Sequence, residues 1–222
     1  MRSFAIGLLI AAMFVSAASA ELLTTSNPIG AGKWALLGAY LSQSSYGGNN
    51  SGVSASTIGG YAGYGLNAQT DLYLTVGMMN TGSIAIPGGS FKINNTALGL
   101  AAKYLLMAES ASMPVSVSAG VGYKALMAKT DPATVNMNGS QVYGGVGVSK
   151  MMVPFVPYAG LTYRSTGGDV TTTTQIDLTI GTAIAWSAQG AVFAEYTMQS
   201  ITPKGGANYS DPQIALAVGY AL

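Results

Sequence analysis

Residues 213–222 read Gln213-Ile214-Ala215-Leu216-Ala217-Val218-Gly219-Tyr220-Ala221-Leu222, and they alternate strictly. Side chains along a strand repeat every two residues. Ile214, Leu216, Val218, Tyr220 and Leu222 therefore share one face, and Gln213, Ala215, Ala217, Gly219 and Ala221 share the other. Such a strand needs an apolar environment on one side only, which either the core of a sandwich or lipid supplies. The same period recurs upstream, so that segments 33–43, 54–66, 70–82, 94–107, 114–128, 139–152, 156–165, 172–186, 191–199 and 212–222 read as strands. Each has about ten or more residues, the length a tilted strand needs to cross the hydrocarbon layer.

Composition decides between the two environments. Charged residues make up 8% of the chain and hydrophobic ones 49%, against the ~25% charged expected of soluble domains. A soluble β-sandwich buries its apolar faces and charges its outer ones. Here the second face is Gly, Ala, Ser and Thr, which suits a narrow interior. In segment 114–128, Val115, Val117, Ala119, Val121 and Tyr123 alternate with Ser116, Ser118, Gly120, Gly122 and Lys124. The larger apolar set is assigned to lipid and the small or polar set to a lumen. No segment after residue 20 approaches the ~18 uninterrupted apolar residues of a spanning helix. The fold class is therefore all-β: a closed antiparallel up-and-down transmembrane β-barrel of about ten strands. Eight is the alternative count, because residues 97–109 have helix-favouring composition and segment 33–43 carries leucines on both faces.

The amino terminus has the parts of a secretory signal peptide in order: Arg2, an apolar stretch over residues 4–15, then Ala18-Ser19-Ala20 before Glu21. Residues 1–20 are expected to be removed, leaving 21–222 as one barrel domain. Loss of Arg2 leaves eight basic against eight acidic side chains, with no basic patch for nucleic acid. Connections around 67–69, 108–113, 153–155 and 187–190 read as short. The others, rich in Gly, Pro, Asn and Asp, read as longer. An even strand count with alternating loop lengths puts both termini on the short-turn side, the periplasmic side in bacterial barrels.

The closing pattern of Ile214, Leu216, Val218, Tyr220 and Leu222 resembles the C-terminal assembly signal of bacterial outer-membrane β-barrels. That family usually ends in phenylalanine or tryptophan, and this chain ends in leucine. The resemblance implies an outer-membrane location in a Gram-negative-type envelope, with membrane lipid and the barrel-assembly machinery as partners. By the face assignment, Trp34, Tyr64, Tyr104, Trp186 and Tyr220 lie outward near the short turns. Amphipathic rings prefer the headgroup level, so they read as an aromatic girdle.

Six charged side chains are assigned to the lumen: Arg164, Asp177, Glu195, Asp71, Lys103 and Lys124. Arg164, Asp177 and Glu195 lie on three consecutive strands at similar estimated heights, while Asp71 and Lys103 face each other across a hairpin. Ions confined in this way need partners, since an unpaired buried charge costs several kcal/mol. They read as a bracing network or as a selectivity constriction. Tyr61, Tyr73, Tyr143, Tyr158 and Phe193 narrow the bore.

The chain has no histidine and no cysteine, the usual bases, nucleophiles and metal ligands. No catalytic residues, metal site or cofactor are assigned. The omptin proteases, the outer-membrane phospholipase and the lipid A acyltransferase and deacylase rely on histidine, so resemblance to them stops at architecture. The expected function is non-enzymatic: a small porin-like channel for small solutes or a structural barrel. The alternative is surface recognition of a ligand through extracellular loops.

Overall fold

The computed structural model describes residues 25–44, 53–86, 89–132, 135–169 and 172–222. Ten strands close a barrel: β1 (Trp34–Gln43), β2 (Ala55–Gly65), β3 (Thr70–Thr81), β5 (Gly89–Met107), β6 (Ser116–Asp131), β7 (Asn136–Ser149), β8 (Phe155–Gly168), β9 (Thr173–Ala185), β10 (Gly190–Pro203) and β11 (Tyr209–Ala221). Neighbours in sequence pair antiparallel, and β1 pairs with β11 from Ala35 opposite Ala221 to Gln43 opposite Gln213. Closure pairs both edge strands, so no row of barrel N–H and C=O groups is left for lipid. An extra strand, β4 (Ile84–Ile86), pairs only with the early part of β5. We call the end where β1 starts and β11 finishes the near end, and the opposite end the far end.

Alternation fixes which side chains face out. On β9, Thr173, Gln175, Asp177 and Thr179 are buried while Ile176, Leu178 and Ile180 are more than half exposed. From Ile176 to Ile184 a strand tilted ~40° climbs about 20 Å, most of a ~25 Å apolar band. Leu36, Leu74, Leu100, Val121, Val142, Leu161, Met198 and Leu216 continue that band around the barrel. An apolar surface this large and continuous belongs against lipid, since soluble monomers expose patches of only a few hundred Å².

Both doubtful segments are strands, so the count is ten. Residues 97–107 pair with β3 on one side and β6 on the other, and two ladders outweigh a helix propensity of a few tenths of a kcal/mol per residue. The register shifts between Leu105 and Met107, a bulge that breaks the alternation, so that Leu106 and Met107 are both exposed. On β1, Leu37 and Leu41 point inward while Leu36 and Tyr40 point outward.

Two expectations are corrected. The inner face is not only small and polar, for Leu37, Leu41, Met79, Ile93, Leu126 and Ile201 are buried inside. A barrel of this size is filled by its own side chains, and Gly, Ala and Ser alone would leave voids. The contrast in connection length is also weaker than the sequence suggested. Strands β6, β8 and β10 run on through the Gly- and Pro-rich stretches, leaving far-end connections of four or five residues after each of them. The near-end connection between β5 and β6 has eight. The signal-peptide segment and the glycine- and asparagine-rich stretch over 46–50 lie outside the described residues.

Candidate functional site

Among the described residues polar side chains concentrate in the interior, which is built in three tiers. At the near end, Asp71 lies opposite Lys103 in the β3–β5 ladder. The Lys103 Nζ sits 3.2 Å from the Asp71 carboxylate, which is fully buried. The pair also holds the segment before β1, which the sequence reading did not place. Residues 25–32 cross the near mouth from the foot of β1 past β2, β3, β5 and β6 to β7. The Ile29 N–H donates to both Asp71 carboxylate oxygens at 3.1 and 3.2 Å. Lys103 donates to the carbonyls of Thr25 at 3.1 Å and Asn27 at 2.9 Å. The Ser116 hydroxyl donates to Asn27 Oδ1, and the Ser26 N–H donates to Ser149 Oγ at 3.0 Å. Gly30 and Gly32, with φ of 100° and 72°, supply the left-handed turns that bend the segment back from β1.

The middle tier is aromatic. Tyr61 and Tyr73 meet edge to face with ring centroids 5.0 Å apart. The Tyr73 hydroxyl donates to Asp71, and Tyr158 donates to Glu195 at 3.2 Å. Glu195 also accepts from Thr197. Lys124 and Arg164 stand over the Tyr143 ring at 5.8 and 5.6 Å from its centroid, within cation–π range. A cavity of about 90 Å³ lies among Tyr61, Tyr73, Thr75, Tyr143 and Tyr158, with Lys103 and Arg164 at its wall. The facing wall is apolar, formed by Leu37, Ala39, Ala215 and Ala217 with Phe193 against them.

The far tier is closed by two materials. On β7 to β9, Arg164 pairs with Asp177, which also accepts from Gln175, and Gln141 bonds Thr166 and Arg164. Beside them runs a glutamine ladder, Gln43 donating to Gln199 at 3.1 Å and Gln199 to Gln213 at 3.0 Å. Across the bore, Val53, Met79, Ile84, Ile93, Leu126 and Met137 form an apolar cluster. Ile84 reaches it from β4, so the hairpin beyond the barrel folds a side chain over the far mouth.

The six charged residues named from the sequence thus separate into distinct groups. Asp71 pairs with Lys103 at the near end, and Arg164 with Asp177 toward the far end. Glu195 is not level with Asp177, because Asp177 is the register partner of Gln199, four residues farther along β10. Its partners are hydroxyls. Strand ends uncertain by a few residues hid that offset, because strand tilt converts sequence position into height only once the register is known.

On the outer face, Trp34, Tyr104, Trp186 and Tyr220 are exposed at the near end, with Trp34 against Tyr64 at 4.8 Å between centroids. The near-end turns hold two of these rings: Tyr104 donates to Gln69 and Tyr220 to Gln189, the latter at 2.7 Å. The closing residues Ile214, Leu216, Val218 and Tyr220 face outward on β11, and Leu222 is exposed beyond its end.

No protein-family profile matches the sequence, and no curated protein matches it. Solved structures do. The beta domain of the Bordetella autotransporter BrkA aligns with TM-score 0.56 at 12% identity, over 85% of this chain and 98% of that one. The transport unit of the autotransporter AIDA-I from Escherichia coli aligns with TM-score 0.54 at 13% identity, over 99% and 97%. The fold is that of a bacterial outer-membrane β-barrel. Identities this low carry the architecture and nothing of what either protein does.

Proposed function

We propose that this barrel resides in the bacterial outer membrane, near end toward the periplasm, as a non-enzymatic structural barrel that passes no solute in this conformation. The observation that carries the reading is the filled lumen. Residues 25–32 cross one mouth, and Met79, Ile93, Leu126, Arg164, Asp177 and Gln199 are all at most 1% exposed toward the other. The glutamine ladder and, beside it, the Arg164–Asp177 group each bond neighbouring side chains along the inner wall, the pairing that groups closed off from water need. Of the readings the sequence left open, an open porin-like bore would leave such side chains wet. Recognition through loops is the weaker reading, since three of the far-end connections, those after β6, β8 and β10, have only four or five residues.

Single-channel recording on the refolded protein in a planar bilayer tests this. No discrete conductance steps are expected, with folding checked in the same sample by heat-dependent gel mobility. Reproducible steps would refute the sealed lumen. For orientation, cysteine at Lys204 should label on intact cells and cysteine at Gln189 should not. The reverse pattern turns the barrel over.

A further inference from the structure

The segment before β1 is bound to the lumen by buried polar groups from four strands. Lysine has three donors, and Lys103 directs them to Asp71, the Thr25 carbonyl and the Asn27 carbonyl. Asp71 spends its remaining capacity on the Ile29 N–H and on Tyr73. The barrel wall is cut to admit the segment. A Cβ on Gly63 would lie 2.6 Å from Ile29 Cδ1, and one on Gly65 would overlap the Gly30 carbonyl. The Gly32 N–H donates to the Gly65 carbonyl at 2.8 Å, continuing the β2 ladder into the segment. Lys103 and Tyr73 also line the tyrosine cavity directly above.

We infer that residues 25–32 form a releasable plug, keyed by Asp71 and Lys103 and seated on Gly63 and Gly65, that controls access from the near end to the tyrosine-lined cavity. Release and wetting are coupled by hydrogen-bond inventory. When the segment leaves, two Lys103 donors and the Asp71 acceptor positions lose their partners at a buried site, and only water can replace them. The opening therefore admits water as far as the cavity. Because the far tier is packed independently, the released state is a cup open at one end and not a pore. The inference rests on the sealed-lumen reading only for that last point.

The chain has no cysteine, so single-cysteine reporters are clean. Ser26→Cys reports the plug and Thr75→Cys reports the cavity, each challenged with a sulfonated methanethiosulfonate reagent on detergent-folded protein. In the parent both should react slowly. Gly65→Ala, which removes the seat and leaves every lumen charge in place, and Lys103→Met, which removes the key, should each speed both reporters at least tenfold. Conductance should stay silent. Unchanged rates in folded variants overturn the plug, and so does a freed Ser26→Cys beside a protected Thr75→Cys. Hydrogen exchange on the unsubstituted protein gives a test without variants. The amides of Ser26 and Ile29 should exchange together and at least tenfold faster than the strand amides of β2 and β3, as a sub-global opening does. Exchange at the strand rate also overturns it. Conductance steps in the parent would instead count against the sealed lumen.

Discussion

The two ends of this lumen are closed differently: the near end by a length of backbone, the far end by side chains alone. The near end is closed by polypeptide held on an ion pair by directed hydrogen bonds, with Ile29 packed on Gly63. The far end is closed partly by shape, with Met79, Ile93 and Leu126 packed under Ile84. A directed contact can be released as a unit, because a backbone segment can exchange its partners for water. A packed cluster cannot, because each methyl group exposed costs about 0.8 kcal/mol with nothing gained in return. The comparison teaches that a filled barrel need not be uniformly inert.

Its sharpest break is charge truncation at the near end. Lys103→Met strands Asp71 inside the barrel and should lower stability by about 3–5 kcal/mol, read as a shift in the urea midpoint of unfolding from lipid. The double variant with Asp71→Leu should recover part of that loss; no recovery would mean that the pair is not the source. At the far end, Leu126→Ala should cost roughly 3 kcal/mol through the void it leaves. Combined with Lys103→Met the losses should add to within ~0.5 kcal/mol, since the two sites share no partners. Strong coupling would show that the ends are one unit after all. The outer wall provides a reference: Leu178→Arg, placed in the lipid band, should cost about 2–4 kcal/mol and leave the reactivity of Ser26→Cys unchanged. The smallest effect, a loss of about 2 kcal/mol in the same urea midpoint, is expected at the glutamine ladder, where Gln199→Leu leaves the buried Gln43 and Gln213 side chains without the bonds Gln199 gives them.

Much of this molecule is legible in one dimension. Alternation alone placed ten strands, the outward face of β9 and β11, the inward tyrosines and the Asp71–Lys103 juxtaposition. A period of two leaves only two faces, and lipid accepts only one of them. What alternation cannot read is height. The separation of Glu195 from Asp177 follows from pairing register and tilt, which no single strand encodes. Nor can it read the contents of a closed space. Alternation puts Leu126 on the face of Lys124 and Met79 on the face of Asp71, but only the closed ring shows that they meet in one apolar cluster, where a volume must be filled.

The segment over 25–32 is the clearest case. Pro28, Gly30 and Gly32 mark it as a turn and a break before β1, and its sequence has no period to reveal a partner. Its place is set by Asp71, Lys103, Ser116 and Ser149, which the chain supplies from four different strands. The sequence by itself determined the barrel, its faces and its membrane band, because those depend on local periodicity and on the cost of bare backbone in lipid. Only the tertiary structure decided that the bore is filled and how each end is shut, because both depend on which side chains meet across the ring once it closes.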